Sequence, residues 1–326
     1  MLEVALLVLA AGFAFVNGMN DGGSITSTGI KLPGLAPLTA IAMLTLALMA
    51  VPLVIGTAVA TTLASRLVTF DGGEAGPTVT VAVLVAVGLV LALSRWGLPT
   101  SLTLAVVGAI TGAGLGAGLP VAWGWVAWVL AIAAAAPLVG ALLALAVTWL
   151  LYRLNPRVSA HTSLRHGHWV SFSLQCLAYG LNDGQKILAV FALALALPTA
   201  PVELPIGTLL LIGASFAVGA AVGLRRYGGM LGDGVMMVRP INAAVAEFAA
   251  GVSVIVTGLL GAPVSMTQAV AGGLIGSGAH ESTRRIRWNR ALMIVLAWVV
   301  TLPVALVAAT GISALVGRAT TMLAAG

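Results

Sequence analysis

Charge is scarce in this sequence. Of 326 residues only 7% are Asp, Glu, Lys or Arg, against about 25% in a soluble domain, and no hydrophilic stretch is long enough to form a separate soluble unit. A globular water-soluble enzyme or binding module is therefore excluded. The single cysteine, Cys176, rules out an intrachain disulfide and cannot by itself make a thiolate metal site. Neither His-Glu-x-x-His nor Gly-x-Ser-x-Gly occurs, so the common metallopeptidase and nucleophile-elbow signatures are missing. Basic residues outnumber acidic ones by 15 to 9, yet they sit in short loops between apolar runs. There they act as topology signals rather than as a nucleic-acid surface.

What remains is apolar: 60% of positions are hydrophobic, mean hydropathy is +1.12, and 40 residues are glycine. The composition describes an all-α integral membrane protein, multi-pass in the plasma membrane, with small residues letting helices approach closely. Five segments are expected in the first half, at about 1–30, 36–66, 77–94, 97–118 and 120–152. The second half gives 169–197, 205–224, 240–261, 263–280 and 289–316. Segment 36–66 is long enough for two elements, and re-entrant arms would raise the count from ten to twelve. The first segment does not read as a cleavable signal, because Glu3 stands in the place of a basic leader and Asn20-Asp21 in that of a cleavage site.

The halves repeat one another. Asn20-Asp21 matches Asn182-Asp183 at an offset of 162, Ser101-Leu102-Thr103 matches Ser265-Met266-Thr267 at 164, and Ala127-Trp128 matches Ala297-Trp298 at 170. The organisation expected is a repeat over 1–152, a cytoplasmic linker over 153–168 and a second repeat over 169–326. With that linker inside, Lys31, Arg95, Arg225, Arg226, Arg239 and the Arg284–Arg290 cluster are also inside. Glu3, Asp71, Glu74 and Glu203 fall outside, and only Arg66 and Arg318 go against the positive-inside rule. An odd number of segments per half makes the repeats inverted, the architecture of many secondary transporters.

Few acids lie inside the apolar segments, and each carries a cost of about 2.5–3.5 kcal/mol on insertion scales. Asp21 and Asp183 stand in Gly-x-Asn-Asp-Gly, which reads as a glycine-flanked helix break. Their carboxylates, the amides of Asn20 and Asn182, and unwound backbone carbonyls suit a small cation. The two aspartates are expected to be buried and close in space. Glu247 either binds a cation or proton or braces the site through hydrogen bonds. Thr100, Ser101 and Thr103, with Ser265 and Thr267, follow Pro99 and Pro263 in what reads as the first helical turn. Hydroxyls and free N–H groups at a helix start favour an oxyanion. Gln185 and Lys186 are counted with the anion-binding set, Lys186 having a salt bridge to Asp183 as its alternative. Gln268 reads as a bond to a neighbouring helix. His161, His166 and His168 read as part of a solvated linker.

These residues resemble the inorganic phosphate transporter (PiT) family of cation-coupled symporters. Members carry Gly-x-Asn-Asp in each half, with Gly-Gln-Lys after the second copy, as in Gly184-Gln185-Lys186. They also carry Pro-x-Ser-Thr-Thr-His in each half. The likeness runs on through Arg225-Arg226, Pro240, Ala246-Glu247, Trp288-Asn289 and Leu296 to Pro303. It implies inorganic phosphate held between the Ser/Thr loops, and Na+ or H+ held by the Asn-Asp copies. It implies no cofactor and no catalysis, and it leaves homo-oligomerisation open. The chain departs from the family pattern at Ser101-Leu102-Thr103-Leu104 and Ser265-Met266-Thr267-Gln268, which lack two hydroxyls and both histidines, and at Ser24, which stands where the family has asparagine. Fewer donors leave sulfate, or another oxyanion, as the alternative substrate. An uncoupled channel or a scaffold is the reading of a different class, and the two retained aspartates argue against it.

Overall fold

The computed structural model describes residues 2–31, 34–70, 75–95, 100–154, 160–195, 204–227, 236 and 238–325. Pro99, Asp71, Glu74, Glu203 and the start of the linker at 155–159 lie outside them. Among the described residues every extended element is helical, as the apolar composition requires of a chain with no water to satisfy its backbone. The first half runs α1 (Leu2–Asn17), one turn of π-helix (Gly18–Gly22), α2 (Gly23–Gly29), α3 (Pro37–Ile55), α4 (Ala58–Thr61), a second π-turn (Thr62–Arg66), α5 (Ala75–Arg95), α6 (Leu102–Gly116) and α7 (Trp123–Leu154). The second runs α8 (Ala160–Tyr179), a π-turn (Gly180–Gly184), α9 (Gln185–Ala194), α10 (Ile206–Tyr227), α11 (Pro240–Leu259), α12 (Met266–Glu281) and α13 (Trp288–Ala325).

Seven of these stretches are long and apolar enough to cross a membrane, beginning with the continuous Val4–Gly29. Residues 160–194 are as long but carry Arg165, Asp183 and Lys186. α6 and α12, with 15 and 16 residues, rise only about 22–24 Å at 1.5 Å per residue, short of a hydrocarbon core of about 30 Å. Each is preceded by extended backbone, at Ser101 (φ −97°, ψ 105°) and Ser265 (φ −95°, ψ 119°). These two helices begin inside the protein.

Elements of one half pack against corresponding elements of the other. The π-turns Gly18–Gly22 and Gly180–Gly184 are 162 residues apart, each in the middle of a long helical stretch. Isolated β-bridges join Val68 to Val121 and Met236 to Ile286, at matching places in the two halves. α1 with its π-turn packs on α10 of the other half, and α8 with its π-turn packs on α3 in return. α6 lies along α13, and α12 along α7. Both long partners carry an internal proline, Pro137 and Pro303.

Two expectations are corrected here. The Asn-Asp segments are not broken or re-entrant: Asn17, Gly22, Gly23, Tyr179, Gly184 and Gln185 all have right-handed helical dihedrals. Their glycines serve close approach instead. A Cβ on Gly18 would stand 2.2 Å from the Phe216 carbonyl oxygen, and one on Gly180 2.3 Å from that of Ala47. The second correction concerns the linker. α8 begins at Ala160, so the second half of 153–168 is helix and His168 is buried. Its polar composition reflects a helix end and one buried histidine facing Glu247.

Candidate ion- and anion-binding site

The π-turns hold Asn20-Asp21 and Asn182-Asp183 in the interior, all four side chains buried. A π-turn inserts one residue into the helical repeat and so redirects side chains without unwinding the chain. Each asparagine amide then makes the same pair of bonds. Asn20 Nδ2 donates to Asp21 Oδ1 at 2.7 Å and to the Thr100 carbonyl at 3.1 Å. Asn182 Nδ2 donates to Asp183 Oδ2 at 3.0 Å and to the Val264 carbonyl at 2.6 Å. The main-chain carbonyls expected from an unwound Asn-Asp segment thus come from elsewhere, from the extended residues ahead of α6 and α12. In both halves the carboxylate-bearing helix is tied to the start of the hydroxyl-bearing helix.

Val264 is the hub of the second half. Its N–H donates to Asn182 Oδ1 at 3.1 Å. Its carbonyl accepts from Asn182, from Lys186 Nζ at 2.7 Å and from Thr103 Oγ1 at 2.9 Å. Thr103 belongs to α6 of the other repeat, so this carbonyl is where the halves meet. Lys186 Nζ also donates to Asp183 Oδ1 at 2.9 Å and to Thr103 Oγ1 at 2.6 Å. The ammonium has three hydrogens and three acceptors. Of the two readings of Lys186, the ion pair with Asp183 is the one seen, and no donor is left for an anion. Thr103 likewise has no donor left, since its hydroxyl accepts from Lys186 and donates to the Val264 carbonyl.

Asp21 and Asp183 are both buried, and the start of α6 connects their surroundings: Asn20 bonds the Thr100 carbonyl, and Lys186, the partner of Asp183, bonds the Thr103 hydroxyl. Ser101, Ser265 and Thr267 are buried at the starts of α6 and α12. Ser101 Oγ caps α6 by accepting from Leu104 N at 3.2 Å, which leaves its O–H to donate. Ser265 and Thr267 share one hydrogen bond of 2.9 Å between their hydroxyls, leaving one hydroxyl hydrogen free. Thr100 Oγ1 donates to Asn20 Oδ1 at 3.5 Å. Pro263 stands two residues ahead of Ser265, which is itself the extended N-cap of α12, so it lies outside the helix rather than in its first turn.

Gln185 turns away from these hydroxyls. Its Oε1 accepts from Val59 N at 2.6 Å and Ala60 N at 3.2 Å, capping α4, whose own N-cap Thr57 supplies no side-chain bond. Glu247 is not joined by any hydrogen bond or ion pair to the Asp183–Lys186 cluster among the described residues. It faces His168 of α8, with Nε2 and Oε2 3.3 Å apart and both side chains buried. Neither Glu247 oxygen has a hydrogen-bond partner among the described residues, so the structure does not show Glu247 bracing the Asp183–Lys186 cluster. Gln268 lines an apolar cavity of about 570 Å³ between α7, α12 and α13. Three groups escaped the sequence reading. Asn17 and Tyr179 could have been found from the 162-residue offset they share. The Val264 carbonyl belongs to the main chain, which no residue type announces.

With this geometry in view, comparison with known proteins is decisive. Residues 17–309 match the model of the phosphate transporter family. The chain belongs to that family. A "probable low-affinity inorganic phosphate transporter" of Mycobacterium tuberculosis H37Rv is 34% identical over 316 residues, covering 93% of this chain and 75% of the relative. A protein of the same description from Rhizobium meliloti is 29% identical over 315 residues, covering 93% of each. Among solved structures, one described as the sodium-dependent phosphate transporter superposes with a TM-score of 0.81 at 17% identity, over 98% of this chain and 99% of that one; the likeness is one of fold. Family membership together with the seven apolar spans makes this a multi-pass membrane transporter rather than an enzyme.

Proposed function

We propose that this member of the phosphate transporter family carries inorganic phosphate across the plasma membrane, coupled to Na+ or H+, by alternating access of two inverted repeats. The observation that carries the reading is the pair of equivalent bridges, Asn20 to the Thr100 carbonyl and Asn182 to the Val264 carbonyl. They link each acidic π-turn to the helix start that presents hydroxyls, so a cation at the carboxylate and an anion at the helix start act on one connected unit. The anion is held by the hydroxyls of Ser101, Ser265 and Thr267, with Thr100 beside them and the free N–H groups and positive dipole ends of α6 and α12. The cation is held by Asp21 and the oxygens around it. Its charge offsets that of the buried carboxylate, which would otherwise repel the incoming anion.

Phosphate at neutral pH still carries protons and gains from a buried acceptor, whereas sulfate offers only acceptors and a carboxylate repels it. The acid-rich interior therefore favours phosphate. Uptake of labelled phosphate and of labelled sulfate into proteoliposomes, with sodium and pH gradients imposed separately, tests the proposal. Phosphate accumulation driven by one of the gradients is expected. Equal or preferential accumulation of sulfate would overturn the substrate, and uptake indifferent to both gradients would overturn the coupling.

A further inference from the structure

The buried cluster between the repeats contains two carboxylates, Asp21 and Asp183, and one ammonium, Lys186. A buried charge without a partner is costly, and with both carboxylates ionised this cluster is one positive charge short. Comparing the halves locates the deficit. Both have the asparagine bridge from carboxylate to carbonyl described above. In the second half Lys186 Nζ then lies between the Asp183 carboxylate (2.9 Å), the Val264 carbonyl (2.7 Å) and the Thr103 hydroxyl (2.6 Å). Carboxylate, carbonyl and hydroxyl oxygens converging on one point form the donor set that a hard cation takes from a protein. In the first half the position 162 residues before Lys186 is Ser24, whose hydroxyl turns back to the Asn20 carbonyl of its own helix at 2.6 Å. Among the described residues no Lys or Arg bridges Asp21 to the Thr100 carbonyl.

We propose that Lys186 is a tethered cation that permanently fills one of two repeat-related cation sites. The other, at the Asp21 carboxylate and the Thr100 carbonyl, is the single exchangeable one. This rests on the coupled-transport reading above and goes beyond it by fixing a number: one coupling cation per turnover at this pair of sites, where an unmodified repeat would bind two. It also assigns Lys186 a role distinct from anion binding, since all three of its hydrogens point at the cation-type oxygens.

The test is the order of phosphate uptake in the coupling ion. Initial rates of labelled phosphate uptake into proteoliposomes are measured at saturating phosphate against sodium concentration and, in a parallel series, against proton concentration. The native protein should show a Hill slope of about one for the ion that drives uptake. Lys186→Gln opens the second site, and the slope should rise to about two, with uptake lower at low cation. Asp183→Asn/Lys186→Gln removes the second site together with its resident charge and should return the slope to about one. A native slope of two overturns the proposal, as does a folded Lys186→Gln with an unchanged slope. Should the single variant fail to fold, the native and double-variant slopes decide, and a slope of two in either contradicts it. Phosphate uptake independent of both ions in the native protein is a separate result, which removes the coupling reading itself.

Discussion

Tyr179 and Asn17 occupy the same place in the two repeats, 162 residues apart, and are hydrogen bonded to each other, the Tyr179 hydroxyl donating to Asn17 Oδ1. A residue that touches its own repeat equivalent lies where the halves meet, next to the π-turns that begin at Gly18 and Gly180. Both side chains are buried, so the bond joins the two carboxylate-bearing helices inside the protein.

Tyr179→Phe removes the donor and leaves the Asn17 oxygen buried without a partner, a cost of about 1–3 kcal/mol. The variant should unfold at lower temperature in detergent, and Asn17→Ala in the same background should add little further loss. Additive losses on thermal unfolding would show that the two residues do not act as a pair.

The glycines of the π-turns give a steric prediction. Gly180→Ala sets a Cβ 2.3 Å from the Ala47 carbonyl oxygen, and Gly18→Ala sets one 2.2 Å from that of Phe216, backbone atoms that cannot move aside. Overpacking of this kind costs about 1–3 kcal/mol or more. Gly12→Ala on α1 meets nothing within 4 Å and is the control. Yields of monodisperse protein should fall for the first two and stay at the native level for the third. Equal yields would remove the close-approach account.

His168 and Glu247 form a buried pair between α8 and α11. Removing one partner leaves the other polar group buried alone, at a cost of about 1–3 kcal/mol or more, whereas replacing both by apolar residues is often close to neutral. His168→Leu and Glu247→Leu should each destabilise strongly, and the double variant should be more stable than either single one. A double variant with the sum of the two losses would mean that the residues are not coupled.

Much of this was legible in the sequence, for physical reasons. Scarce charge forces helices in a membrane, and a repeat offset survives because both halves solve the same packing problem. The buried positions of Asp21 and Asp183 followed from that offset. The continuous helix at Asn20-Asp21 did not, since a glycine placed for a neighbouring carbonyl looks, in sequence, like one placed for a break. Gln185 and Glu247 were misplaced for a related reason. Their residue types announce hydrogen bonding, but their partners, the α4 backbone and His168, are 125 and 79 positions away in sequence. His168 itself was hidden in a polar stretch that reads as a loop.

The hydroxyls at the helix starts are separable from the cation cluster. At the proposed anion site Ser101→Ala and Ser265→Ala would each remove a hydrogen bond to a charged ligand, worth about 1.5–3 kcal/mol, and should raise the half-saturating phosphate concentration about 10- to 100-fold with the cation dependence unchanged. Normal saturation curves for both variants would place the anion elsewhere.

In the proposed mechanism Asp21 is the group that couples cation to anion. Asp21→Asn keeps the size and the bond from Asn20 but removes the charge. Concentrative uptake of labelled phosphate into proteoliposomes, under a sodium or proton gradient, is compared for the native protein and this variant. The native protein should accumulate phosphate above the external concentration, and Asp21→Asn, equally well folded, should not accumulate it under either gradient. Native-like accumulation by Asp21→Asn would contradict the account.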